Sequence, residues 1–227
     1  EVLAATLRLA ASAGGEAPLV VLDSGSLEWV RSAYPGIALH PRRDFFDYVY
    51  STRDLAELPG RKYLNIRRQV NRFRSRCNYT VDPLTPDIVD EVEEFLLKWC
   101  EWRECESHPI LAYEKDAILF TLEHFENLGV LGRVIRVDGR ILSMALFEEL
   151  NSEMAVVHFE KGLPECEGIY KAINTETAKA LKGTYPCINR ESDLGEMGLR
   201  ESKMRYHPHH FVEVYEVKRE EIQRVLR

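Results

Sequence analysis

From residue 83 onward the apolar positions change period in a regular order. Val89, Val92, Phe95, Leu96 and Trp99 recur at three- and four-residue spacing behind Pro83, Thr85 and Pro86, which predicts a helix over 83–103. Ile118, Leu119, Leu122 and Phe125 repeat that spacing over 113–127, with Gly129 just past the end. The pattern then turns strand-like. Residues 132–137 and 140–150 flank Asp138-Gly139, a hairpin dipeptide, and a turn at Asn151-Ser152 leads into a third strand over 154–160. A loop holding Gly162, Pro164 and Gly168 opens a helix over 169–182, apolar at Ile169, Ile173 and Leu181. A short strand (185–189), a short helix (198–206) and an aromatic strand (211–217) complete the series, and 77–81 can add a first strand. Helix, helix, three antiparallel strands, helix, strand, helix, strand predicts an α/β (α+β) mixed sheet.

The first 80 residues echo the end of this layout. Residues 2–13 and 27–34 read as helices and 19–23 as a strand. Residues 45–51 (FFDYVYS) form an aromatic strand comparable with 211–217 (FVEVYEV), and an offset of 166 aligns the two stretches element by element. Identity between them is poor, so the repeat is one of pattern. It predicts two related halves, 1–82 and 83–227, the first lacking its front. The chain opens on Glu1 rather than Met, so a natural start upstream is an expectation.

Composition sets bounds. Of 227 residues, 45% are hydrophobic and 30% charged, the balance of a globular protein rather than a disordered or collagen-like one. Apolar runs such as Leu19-Val20-Val21-Leu22 fall far short of the ~20 residues of a membrane span, and no signal peptide is visible. Five cysteines, an odd number without a CxxC pair, read as buried reduced thiols in a cytoplasmic protein. Cys100, Cys105 and His108 lack the fourth ligand and the tight spacing of a zinc site, and His207, His209 and His210 beside Pro208 read as a loop, so no metal is expected.

The net charge of −7 hides an asymmetry. Residues 61–76 (RKYLNIRRQVNRFRSR) hold seven of the 30 basic residues and no acid, leaving 23 basic against 37 acidic residues elsewhere. On a helix, Tyr63, Ile66, Val70 and Phe73 share one face while Arg61, Arg68, Arg72 and Arg76 share the other. The stripe, with Lys62, fits a phosphate-bearing partner: tRNA, a nucleotide or an anionic lipid. Alternatively it is a solvated face neutralised by the acids of 87–106.

Residues 187–206 (CINRESDLGEMGLRESKMRY) concentrate polar groups beside a buried-type strand. Asn189, Arg190, Glu191 and Asp193 follow the strand end, Gly195 and Gly198 bracket a helix start, and Arg200 and Lys203 share a helix face. Strand ends meeting a helix start form a favoured ligand crevice. The structural alternative has Asn189 and Asp193 capping that helix and Arg190 paired with Glu191.

Asn189-Arg190-Glu191, Asp193-Leu194-Gly195, Gly198-Leu199-Arg200 and Lys203 resemble the C-terminal signature of the phosphatidylglycerol lysyltransferase C-terminal-like family. Residues 47–51, Asp54-Leu55, Gly60-Arg61-Lys62 and Asn71-Arg72-Phe73 resemble its other motif, and the similarity reaches across about 45–217. The resemblance implies the GNAT (N-acetyltransferase) superfamily, arranged as tandem GNAT-like domains. Relatives include lysyl-phosphatidylglycerol synthases and Fem-type transferases, which take aminoacyl groups from tRNA. It also implies an acyl site beside strand 154–160, with Glu160 or His158 as general base, and a general acid near Tyr206 after the short helix. Glu191 joins this catalytic set, with Asn189, Arg190, Asp193, Arg200 and Lys203 on substrate. The donor would be aminoacyl-tRNA or acyl-CoA. The loop 160–168 departs from the Gln/Arg-x-x-Gly-x-Gly/Ala pattern of acyl-CoA users, and Glu165 and Glu167 would repel a pyrophosphate. The expected activity is acyl or aminoacyl transfer. The alternatives are a non-catalytic module binding nucleic acid or an anionic ligand, and an acyl-CoA-dependent N-acetyltransferase with an atypical loop.

Overall fold

The computed structural model describes residues 19–21 and 24–225, together with Ala5. In chain order the elements are β1 (Leu19–Val21), α1 (Ser24–Ala33), β2 (His40–Pro41), β3 (Asp47–Ser51), α2 (Thr52–Glu57), α3 (Leu64–Arg76) and β4 (Tyr79–Pro83). There follow α4 (Val89–Arg103), α5 (Pro109–Glu123), α6 (Phe125–Leu128), β5 (Leu131–Val137), β6 (Arg140–Asn151) and β7 (Met154–Gly162). The last are α7 (Ile169–Leu181), β8 (Cys187–Asn189), α8 (Met197–Met204), β9 (His210–Val212), β10 (Tyr215–Val217) and α9 (Arg219–Val225).

Two compact units emerge, and their boundary differs from the sequential division expected at 82/83. One is residues Tyr50–Arg190; the other combines the chain up to Val49 with the chain from Glu191. The strand β3 carries the chain across the first boundary.

In the 50–190 unit, strands run in the order β4-β5-β6-β7-β8. The first four are antiparallel and β8 joins β7 in parallel. β6 is buried at every position from 141 to 147, the pattern of a strand covered on both faces. The helices α4 and α7 both pack against it. Asp138 and Gly139 take φ of 49° and 80°, the paired left-handed residues that a two-residue hairpin demands. The β7–β8 ladder is short: Met154↔Cys187, Ala155↔Ile188 and Val156↔Asn189 pair, while β7 continues to Gly162.

In the other unit, β1, β10 and β2 form an antiparallel sheet in that order. Leu27, Val30, Ile37, Val217 and Ile222 form its buried cluster. β3 pairs with β9, Asp47↔Val212 to Val49↔His210. The two aromatic stretches that echo each other in sequence are thus partners in one ladder. The stretch 211–217 is not one strand, however: it divides into β9 and β10, which belong to different sheets.

Other expectations need correction. The helix foreseen at 61–76 begins at Leu64, so Arg61 and Lys62 lie in the preceding turn. The helix foreseen at 113–127 starts at Pro109 and is interrupted at His124. The helix foreseen at 2–13 lies outside the described residues. Four of the five cysteines are not thiols: Cys77 is bonded to Cys166 and Cys100 to Cys105, leaving Cys187 reduced. An 89-residue separation and a five-residue one carry no local spacing signal that would have announced them. Among the described residues no group of metal-ligating side chains is assembled, and no helix is long and apolar enough to cross a membrane.

Candidate active site

On β7 the ladder with β6 slips at His158: Phe159 pairs with Leu146 and Val157 with Phe147, leaving His158 as the extra residue of a bulge two positions before Glu160. Glu160 lies beyond Val156, the last residue that pairs with β8. Its carboxylate is paired with Arg190, and Asn174 Nδ2 of α7 donates to it at 3.1 Å. The side chains of Glu160 and Arg190 are only 10% and 15% exposed, and the Arg190 guanidinium lies over the Tyr50 ring. Arg190 therefore pairs with Glu160. His158 is half-buried, with Nε2 2.9 Å from Glu148 Oε1 on β6. Asn189 is buried at the end of β8.

The second constellation begins at Glu191, in the other unit. Asp193 is fully buried and receives a dense set of donors. Tyr48 Oη donates to Oδ2 at 2.5 Å, Arg200 Nε and Nη2 donate at 2.9 and 2.8 Å, the Gly195 amide donates at 3.0 Å, and Arg43 Nη1 stands at 3.2 Å. Burial raises the Asp193 pKa, but Arg200, Tyr48 and Gly195 pull it well below the ordinary carboxylate range. Arg200 also reaches Asp44 at 2.6 Å. Lys203 is buried and donates to the Glu191 and Ser192 carbonyls at 3.1 and 2.7 Å, its ammonium 5.6 Å from the Tyr48 ring centre. Tyr206 is buried at the end of α8.

These contacts hold a strained turn. Glu191, Leu194 and Gly195 take φ of 56°, 52° and 81°. A left-handed conformation is costly for the first two, and such strain persists only where surrounding groups over-determine it. Asp193 does not cap α8, whose N-cap is Glu196 without a side-chain bond. Arg200 and Lys203 do share a purpose, but it is to fix the turn 191–195 from one side.

Sequence reasoning missed Arg43 and Asp44, placed Tyr48 within the motif 47–51 without a role in the site, and missed Asn174 and Glu148. Arg43, Asp44 and Tyr48 stand about 150 residues from Asp193 and carry no motif spacing with it. A faint signal for the first three existed in the density of charge beside the aromatic strand at 42–50.

The basic helix is amphipathic as expected: Ile66, Val70 and Phe73 are buried and the arginines exposed, save the half-buried Arg67, which donates to the Leu58 and Gly60 carbonyls. Its partners are not the acids of 87–106. Arg72 pairs with Glu167, Arg76 stands 3.6 Å from the same carboxylate, Arg74 meets Glu176 at 2.9 Å, and Lys62 meets Asp54 at 3.1 Å. Arg61 and Arg68 are exposed and carry no ion pair among the described residues. Glu167 belongs to the loop 163–168, where the fold family would seat the pyrophosphate of acyl-CoA. The residues present do not fit that group. Glu165 and Glu167 are both anionic, and the Ile169 amide is taken by the Cys166 carbonyl. A Cβ on Gly168 would come within 2.5 Å of the Gln69 carbonyl oxygen, so α3 packs directly over the start of α7.

The family model for the C-terminal region of phosphatidylglycerol lysyltransferase matches residues 1–218. The chain belongs to the phosphatidylglycerol lysyltransferase C-terminal family. One similar structure, a conserved protein of unknown function from Bacteroides thetaiotaomicron, is 31% identical with a TM-score of 0.89, over 96% of this chain and 74% of that one. The C-terminal domain of a putative lysylphosphatidylglycerol synthetase from Agrobacterium fabrum is 16% identical with a TM-score of 0.69, over 96% and 72%. L-PGS from Bacillus licheniformis is 12% identical with a TM-score of 0.62, over 99% and 77%. No curated protein matches the chain. Membership of the lysyltransferase C-terminal family, together with the mixed α/β sheet, establishes an aminoacyl- or acyltransferase-like domain.

Proposed function

We propose that this chain moves an aminoacyl group from tRNA to the hydroxyl or amine of a lipid or small-molecule acceptor. The observation that carries the reading is the buried Glu160–Arg190–Asn174 cluster beyond the end of the β7–β8 ladder. There, backbone amides of β7 past Val156 are not spent on β8 and can donate to an oxyanion. The acceptor oxygen or nitrogen attacks the ester carbonyl carbon, the new acyl bond forms, and the ester C–O bond to the tRNA ribose breaks. His158, backed by Glu148, takes the acceptor's proton and returns it to the departing ribose oxygen. Glu160 accepts from two donors, so it serves as a fixed anionic anchor for the aminoacyl ammonium rather than as the base. The Asp193 cluster holds the signature turn, and Asn189, at the end of β8, lines the acceptor side. The exposed Arg61 and Arg68, with Arg72, track tRNA phosphates.

A non-catalytic binding module is the alternative, favoured by Arg200 and Lys203 being fully engaged in structure. Incubation with radiolabelled aminoacyl-tRNA and phosphatidylglycerol vesicles separates the two. Transfer of label to lipid, abolished in His158→Ala, supports the enzyme. Retention of tRNA without transfer, across acceptors, supports the module.

A further inference from the structure

We propose that the Cys77–Cys166 disulfide is a redox-controlled mask over the basic face of α3; the proposal rests on the reading of that face as an RNA contact. Cys77 is the C-terminal cap of α3, and Cys166 lies in the loop immediately before Glu167. The bond therefore holds the Glu167 carboxylate against Arg72 and Arg76, one oxygen to each. Two exposed arginines of the stripe are neutralised by a single acid that the disulfide delivers. Glu167 is itself 54% exposed, and such pairs are weak unless their partners are held together. Remove the covalent link and the residue before Glu167 loses its tether to the end of α3, leaving the loop its Arg140–Glu165 pair, the Leu163–Leu142 backbone bond and the packing of Gly168 on α3.

The two disulfides differ in access. Cys100 and Cys105 are buried, whereas Cys77 and Cys166 are partly exposed and open to attack by a small thiol. Two equivalents of a low-molecular-weight thiol supply the two electrons and two protons. The Cys77–Cys166 bond breaks, two thiols form on the protein, and the reductant leaves as its own disulfide. Oxidation reverses the step. In the reduced state Glu167 moves away and Arg72 and Arg76 become available to phosphates beside Arg61 and Arg68; in the oxidised state they are masked.

The test is binding of fluorescently labelled unfractionated tRNA to the full chain, followed by anisotropy across a salt series, with and without dithiothreitol. Reduction should tighten binding about three- to tenfold and steepen the slope of log Kd against log salt by about 1 to 2. Glu167→Gln should bind tightly in the oxidised protein. The paired Cys77→Ser, Cys166→Ser variant should bind tightly in both conditions and lose the response. Circular dichroism checks that the reduced protein is folded; should it unfold, oxidised Glu167→Gln decides alone, and wild-type affinity there overturns the mask. Equal binding in both redox states, with Arg68→Glu still weakening it, also overturns the mask but leaves the RNA face standing. Binding that is absent, or indifferent to Arg68→Glu, overturns the RNA face and the mask with it. A redox response on phosphatidylglycerol vesicles but not on tRNA overturns the choice of partner.

Discussion

Tyr48 donates its hydroxyl to Asp193 at 2.5 Å, joining a strand residue to a turn residue 145 positions later. The contact explains how a turn with two non-glycine left-handed residues is held. Asp193 collects donors from Arg43, Tyr48, Gly195 and Arg200, and each fixes a different part of the loop. Within this cluster the signature residues Asp193 and Arg200 act as supports for the turn, and what they position is the backbone of 191–195.

Asp193→Asn should therefore cost about 3–5 kcal/mol, because it strips the charge from a fully buried site and leaves Arg200 short of a partner. The pH dependence follows from the direction of the shift. A carboxyl with a depressed folded-state pKa stabilises fully above its ordinary value, near 4, and loses that stabilisation as pH falls below it. Urea melts between pH 2 and 7 should show a steep acid limb in the wild type and a flatter one in the variant. Parallel limbs would remove Asp193 from the explanation.

His158→Ala should lower kcat for aminoacyl transfer by about 10²–10⁴ with the melting temperature unchanged. Glu148→Gln, which alters only the group facing His158, should give a smaller loss of the same kind. Steady-state kinetics and calorimetry on the same samples decide it: full activity in His158→Ala would move the base elsewhere.

Lys161 offers a test of burial against pairing. It is 6% exposed in its side chain, paired with Glu114 of α5, with its ammonium 4.3 Å from the Trp99 ring centre. Burial lowers its pKa against the pull of Glu114. Replacing a buried pair by an apolar side chain of similar length is often neutral. Lys161→Met combined with Glu114→Leu should thus stay within about 1 kcal/mol of wild type, while Lys161→Ala alone, which leaves a cavity and an abandoned carboxylate, should lose about 2–4 kcal/mol. Equal losses in denaturant titrations would mean the ion pair itself stabilises the fold.

Two glycines with similar backbone should respond differently. Gly168 (φ 91°) has the Gln69 carbonyl oxygen 2.5 Å from where a Cβ would sit, whereas Gly183 (φ 103°) has open space. Gly183→Ala should cost about 1 kcal/mol, the conformational penalty alone. Gly168→Ala should cost at least about 2 kcal/mol more, because α3 must shift off the start of α7. Comparable melting temperatures for the two would show that α3 does not pack there so closely.

Features that depend on neighbours in the chain were legible without a structure. The inward set Ile66, Val70 and Phe73, the Asp138-Gly139 hairpin, the β5–β6–β7 meander and the helix after Gly168 follow from spacing of three, four or two residues and from turn dipeptides whose φ is locally imposed. Membership of the lysyltransferase C-terminal family was readable too, because Asn189, Asp193, Arg200 and Lys203 sit close together in sequence. Partner choice was not. Nothing local in the sequence joined Arg190 to Glu160, 30 positions away, and Arg72 could have met an acid of 87–106 as readily as Glu167. A charge pattern constrains only that partners exist, whereas the distance between two side chains is set by how strands and helices pack. The same holds for Cys77 with Cys166 and Tyr48 with Asp193. Each joins residues far apart along the chain, and only tertiary structure, by stacking β3 on β9 and α3 on the start of α7, brings such groups within reach.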